Sequence, residues 1–179
     1  MKNSMKVAFC GVLAALSTVL MFLTGLIPVA TLAIPAVAGC LLIPVVVEVG
    51  VPWGFGVYGV CGALSLLLAP DREAALFYLL FFGCYPVLFA VLGRIKSKVL
   101  RYAAKLAVFN AAVVAETLLS IYVLGIPFES ISFLGKFTPL VLLVLANVVF
   151  IVYDFALDGL IVTYLRRLHD KIGRAFKLK

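Results

Sequence analysis

Polar residues are so sparse along this chain that the few present cut it into long apolar runs, most of them the length of a bilayer crossing. The run from Phe137 to Leu165 is the longest, and it ends in the basic tail Arg166, Arg167, Lys171, Arg174, Lys177 and Lys179. A hydrocarbon core roughly 30 Å thick takes about 20 helical residues to cross, so this run is read as a spanning helix, the sixth and last. Helix one is expected over Val7–Ile27, after Lys2 and Lys6, closed by Pro28 and followed by the uncharged turn Val29–Leu32. Helix two covers Ala33–Val49, interrupted by Pro35 and Pro44. Gly50, Pro52, Gly54 and Gly56 mark a tight connection into helix three, Trp53–Ala69. No basic residue separates helices two and three, so a re-entrant pair is the alternative there. Pro70-Asp71-Arg72-Glu73 reads as a polar turn. Helix four follows over Ala74–Leu92 with a kink expected at Pro86, and helix five over Ala104–Leu124. The segment Gly93–Lys105 between them is partly amphipathic and interfacial, and Gly125–Lys136, with Pro127 and Glu129, forms the last loop. The expected architecture is all-α: one domain over residues 1–179, a polytopic bundle of six transmembrane helices.

Composition agrees. Of the 179 residues, 65% are hydrophobic and 13% charged, and mean hydropathy is +1.24; a soluble domain has about 45–50% apolar and about 25% charged residues. The net charge of +7 could suggest nucleic acid, but the basic residues gather at helix ends, where they set topology and meet anionic lipid heads. Two precede helix one. Five (Arg94, Lys96, Lys98, Arg101 and Lys105) lie between helices four and five, and six are in the tail. Only Arg72 and Lys136 remain for the other side. The excess of Lys and Arg in cytoplasmic segments therefore puts both termini in the cytoplasm of a multi-pass cell-membrane protein. The basic start and apolar stretch of the N-terminus continue too far, and without a cleavage pattern, to read as a removed signal.

Several side chains bear on function. Asn147, Asp154 and Asp158 fall within a narrow arc of helix six, with Ile151 between them, at about 100° per residue. Such a stripe faces protein, water or ligand, not lipid. Glu48 and Asp158, near the cytoplasmic ends of their helices, are read as salt-bridge partners for Arg94, Lys96 or the tail. Asp154 is a turn deeper and needs a partner of its own. Glu116 lies near the middle of helix five, beside Thr117 and one turn from Ser120, and intramembrane acids commonly mark a substrate or ion site. Since helix five runs outward and helix six inward, Glu116 and Asn147 are expected at similar depth, with Asn110 deeper and on another face. Tyr78, Phe81 and Tyr85, with Phe77 and Phe82 close by, suggest an aromatic wall for a flat, partly polar small molecule. The candidate substrate-binding set is thus Tyr78, Phe81, Tyr85, Glu116 and Asn147. The alternatives are an interhelical hydrogen-bonded clasp for Glu116 and a lipid-facing surface for the aromatics. Trp53 and Tyr122 read as interface anchors.

Small residues form two stripes: Ala8, Gly11 and Ala15 on helix one, and Ala104, Ala107, Ala111 and Ala115 on helix five. Such stripes let helix backbones approach closely, either within the bundle or against another membrane protein. The cysteines Cys10, Cys40, Cys61 and Cys84 all sit in apolar runs without a CxxC pair, and His169 is the single histidine; neither a metal site nor a disulfide framework is expected. No HExxH, GxSxG or Walker A sequence occurs, so no enzymatic activity and no cofactor are expected.

The basic start Met1-Lys2-Asn3-Ser4-Met5-Lys6, the opening Val7-Ala8-Phe9-Cys10-Gly11-Val12-Leu13-Ala14-Ala15-Leu16 and the Pro-containing first external loop together resemble the substrate-binding S components of energy-coupling factor (ECF) transporters. In that family an AxxxA-type motif on helix one docks the transmembrane coupling subunit. Gly11 and Ala15 hold the matching positions here, with Gly in place of the first Ala. The resemblance implies a substrate pocket near the outer face, built from the first external loop and the later helices, for a vitamin or similar micronutrient. It also implies a coupling subunit and two cytoplasmic ATPase subunits as partners, and delivery by toppling in the membrane. Two other readings stand beside it: a membrane scaffold similar in size and helix count to the MreD-type protein of cell-wall elongation, and a small proton-coupled transporter using Glu116 or Asp154.

Overall fold

The computed structural model describes residues 3–26, 31–123, 125 and 138–169. Pro28 with most of the first loop, most of the last loop including Lys136, the start of the Phe137 run, and the tail cations Lys171, Arg174, Lys177 and Lys179 lie outside the described residues. All regular structure among the described residues is helical. α1 (Asn3–Leu23) continues into a tight turn, Thr24–Leu26; α2 (Ala33–Cys40) and α3 (Leu42–Glu48) follow, then α4 (Val51–Leu68) and α5 (Arg72–Phe77). A π-helical segment, Tyr78–Phe82, leads to α6 (Tyr85–Leu92), α7 (Lys98–Tyr122) and α8 (Thr138–Tyr164), which ends in a π-turn, Leu165–His169. Among the described residues five helical stretches are long and apolar enough to cross a membrane, and Ala33–Glu48 is a shorter apolar stretch beside them. The protein is an all-α, polytopic membrane bundle.

Three expected helices are corrected. Helix two is not continuous: it breaks at Leu41 into α2 and α3. Pro35 and Pro44 each sit within the first turn of their half, where a missing N–H costs little. The connection to α4 is the single turn around Gly50, whose φ of 110° is strained for any residue with a Cβ, and Pro52 then starts α4. Helix four is not one continuous α-helix: in the turn ahead of Pro86 the Gly83 N–H reaches back five residues to the Tyr78 carbonyl at 2.7 Å, and α6 restarts at Tyr85 with Pro86 in its first turn. Helix five begins at Lys98 rather than Ala104, with Ser97 as its N-cap accepting from the Leu100 N–H at 3.4 Å.

The short, broken α2–α3 lies at the centre. It packs against α1, α4, the π-segment and α6, and Ala38, Leu42 and Val45 are fully buried. Gly39 makes this possible. A Cβ built there would stand 2.1 Å from the Phe82 carbonyl oxygen, so only glycine admits this approach. In a continuous α-helix that carbonyl would accept from the N–H of residue 86, and Pro86 has none. Two cores result. One joins α1, α2–α3 and α4 around Met21, Leu42, Cys61 and Tyr78. The other joins the π-segment and α6 to α7 and α8 around Phe81, Tyr85, Phe109, Phe150 and Leu157.

Candidate functional site

The seam between α7 and α8 carries the polar chemistry of the bundle. Three residues of α7 meet three of α8 in layers. Asn110 and Asn147 exchange two amide hydrogen bonds: the Asn110 side chain donates to the Asn147 Oδ1 at 3.1 Å, and Asn147 donates to the Asn110 Oδ1 at 3.0 Å. Phe109 and Phe150 stack with ring centroids 4.5 Å apart. Next, Lys105 donates through Nζ to both carboxylate oxygens of Asp154, at 2.7 and 2.9 Å. The Tyr85 hydroxyl donates to the same carboxylate at 2.5 Å, and the ammonium also lies 3.8 Å from the centroid of the Phe89 ring.

Lys105 is 5% exposed and Asp154 8%, so this is an ion pair inside the bundle wall. An unpaired charge there would carry an effective penalty of several kcal/mol. Three hydrogen bonds and a ring face offset it, which explains how a lysine and an aspartate occupy helices otherwise greasy on this side. Asp154 does have the partner it was expected to need. That partner, Lys105, is not a loop cation: it stands seven residues inside α7, on one stripe with the buried Phe109 and Ala112. The Lys105/Phe109/Ala112/Glu116 spacing is itself a helical stripe, and this was the available signal for a buried lysine.

Of the expected substrate-binding set, Phe81 and Tyr85 come together, with ring centroids 4.7 Å apart, in the core beside Phe109 and Phe150. Tyr78 does not join them. It is fully buried on the other side of the segment, with its hydroxyl 3.1 Å from the Ser17 Oγ of α1. Seven residues apart in a regular helix would share a face, but the intervening π-turn shifts the phase by one residue, and the two tyrosines enter different cores. Glu116 and Asn147 are not level either. Asn147 is level with Asn110, and Glu116, six residues further along α7, stands about 9 Å beyond that layer at 1.5 Å per residue. Glu116 is half-buried and accepts from Ser120 at 2.8 Å, with Glu73 of α5 close enough to act on it electrostatically.

The small-residue stripe of α1 is uncovered. Ala8, Gly11 and Ala15 are exposed, and a Cβ on Gly11 would meet nothing within 4 Å, whereas Cys10, Ser17 and Met21 on the opposite face are buried. The α7 stripe is likewise turned outward at Ala107 and Ala111; the alanine buried in the seam is Ala112. Glu48 meets the end of α8 as expected, accepting from the Tyr164 hydroxyl at 3.0 Å with the His169 Nδ1 at 2.8 Å. Asp158 makes no such bridge among the described residues; it lines a cleft beside the Lys105–Asp154 pair.

With this geometry in hand, comparison with protein-family models, with curated proteins and with solved structures returns no match.

Proposed function

We propose that the chain is the substrate-specific membrane subunit of an ECF-type uptake transporter. It captures a small molecule, a vitamin or similar micronutrient, at the outer face of the cell membrane, and works with a transmembrane coupling subunit and two cytoplasmic ATPase subunits that supply the ATP chemistry. The observation that carries this reading is the bare face of α1. Where the hydrophobic effect gives no help, a strip of small residues is of use only to a neighbouring backbone that approaches it. This chain leaves Ala8, Gly11 and Ala15 open among the exposed Val7, Val12, Leu16 and Val19, while Cys10, Ser17 and Met21 turn into the bundle. In this reading the substrate sits in the half of the bundle away from the basic loop. Glu116 supplies the polar contact, Phe81 and Tyr85 belong to the packed aromatic floor beneath it, Tyr78 stands apart in the other core, and Asn147 becomes available only when its pair with Asn110 opens.

The test is copurification with coupling and ATPase subunits. Gly11→Trp and Ala15→Trp should abolish the complex while the isolated protein stays folded, because nothing in the bundle occupies that space. With the small molecule retained by the purified protein, Glu116→Gln should lower affinity roughly ten- to a hundred-fold, the worth of one charged hydrogen bond. A complex that survives the tryptophans, or cell-wall synthesis proteins copurifying instead, overturns the proposal.

One observation favours the second reading, a proton-coupled transporter. Asp154 is held by Lys105 and Tyr85, whereas Glu116, among the described residues, has a single side-chain hydrogen bond, from Ser120 of its own helix, which leaves its carboxylate less tied than that of Asp154. Uptake by the protein alone in proteoliposomes, driven by a proton gradient and lost in Glu116→Gln, would select it.

A further inference from the structure

The charges at the basic-loop end of the α6–α7–α8 wedge come in two layers. In the inner layer Lys105 and Asp154 are covered and paired. One helical turn nearer the loop, Arg101 on α7 and Asp158 on α8 line a cleft of about 200 Å3 together with that pair, and Tyr102 and Phe155 are at its edge. Among the described residues neither Arg101 nor Asp158 makes an ion pair or a side-chain hydrogen bond. The cation on one wall and the anion on the other are separated by the cleft instead of closing it.

We propose that this cleft holds the headgroup of a phospholipid carrying a phosphate and a primary ammonium, with the phosphate on Arg101 and the ammonium on Asp158. Depth is the first reason. Arg101 is four residues past the helix cap Ser97, about 6 Å along α7, the level at which a spanning helix meets lipid heads. The second is the direction of the opening. Phe155 is 82% and Tyr102 57% exposed, so the cleft lies on the perimeter of the bundle, with an apolar surface beside it along which acyl chains can run. The third is charge. The guanidinium fork matches a phosphate with two parallel hydrogen bonds. Asp158 needs an N–H donor, which a primary ammonium has and a quaternary one lacks. A headgroup with no cation of its own would place its phosphate on Arg101 but leave Asp158 unpaired, since Lys105 is already taken by Asp154. The volume is also short of the roughly 300–1,000 Å3 of pockets for drug-sized ligands.

The experiment is native mass spectrometry of the full chain exchanged into micelles with equimolar phosphatidylethanolamine, phosphatidylcholine and phosphatidylglycerol of one acyl composition. Wild type should retain phosphatidylethanolamine several-fold over the other two. Arg101→Gln should lower its retention roughly ten- to a hundred-fold, as loss of a charged hydrogen bond does. Asp158→Asn should erase the preference over phosphatidylcholine while leaving residual binding. Neither substitution touches the Lys105–Asp154 pair, and unchanged helical circular dichroism would show that the fold survives. Equal retention of the three lipids, a preference for phosphatidylglycerol, or a preference unchanged in Asp158→Asn overturns the proposal. Water-soluble O-phosphoethanolamine binding as tightly as the lipid would make the site one for a free solute and overturn it equally.

Discussion

At the scale of single residues, the Lys105–Asp154 pair decides most. A buried ion pair is weak evidence for stability in itself, since desolvation offsets much of the attraction, but half of one is destructive. Asp154→Asn or Lys105→Met should each cost about 3–5 kcal/mol, because each leaves one uncompensated charge within the wall. The double substitution should recover most of that loss, and the coupling between the two sites is what a double-mutant cycle reads. Reversible unfolding in mixed detergent micelles measures it. Additive losses in the double variant would mean the two charges do not depend on each other.

Among elements, the shortest helical stretch is the most central. α2–α3 spans 16 residues, about 24 Å at 1.5 Å per residue, less than a hydrocarbon core. It lies within the bundle, its prolines placed where each half begins and its glycine at the closest backbone contact. Gly39→Ala should therefore destabilise the bundle by about 1–3 kcal/mol, the cost of overpacking, because a backbone oxygen cannot step aside as a side chain can. Gly11→Ala should be neutral or slightly stabilising in the isolated protein, by up to about 1 kcal/mol from helix propensity, since its Cβ enters open space. Thermal denaturation of the two variants side by side checks the contrast. Equal losses would mean that the α1 stripe is packed after all.

For the whole molecule, the distribution of cations argues for one orientation across the membrane. Alternation of the helices brings the ends of α3 and α8 together, as the contact of Glu48 with Tyr164 and His169 requires, and puts the Arg94–Lys98 connection at that same end. We expect this end to be cytoplasmic. In a background lacking the four native cysteines, Glu73→Cys should react with a membrane-impermeant maleimide added to intact cells, and Lys98→Cys only after permeabilisation. Labelling of Lys98→Cys from outside reverses the orientation.

Much of the architecture was legible in residue order, because a bilayer imposes a length and a polarity that any apolar run either meets or fails. The all-α class, most of the helices and the need of Asp154 for a partner follow from that constraint alone. The contact of Glu48 with the end of α8 was legible for the same reason: a carboxylate at a helix end needs polar partners from a neighbouring end, here Tyr164 and His169. What the order of residues left open was phase and pairing. One five-residue hydrogen bond at Tyr78–Gly83 turns two tyrosines of apparently one face into two separate cores, and no periodicity count anticipates it. Which polar groups meet across α7 and α8 depends on the relative slide of two antiparallel helices, and here it is set by layers such as the Phe109–Phe150 stack. That slide matched Asn147 to Asn110 rather than to Glu116, and drew Lys105 out of an apparent loop into the wall. Local chemistry sets which residues must be satisfied. Only packing in three dimensions decides by whom.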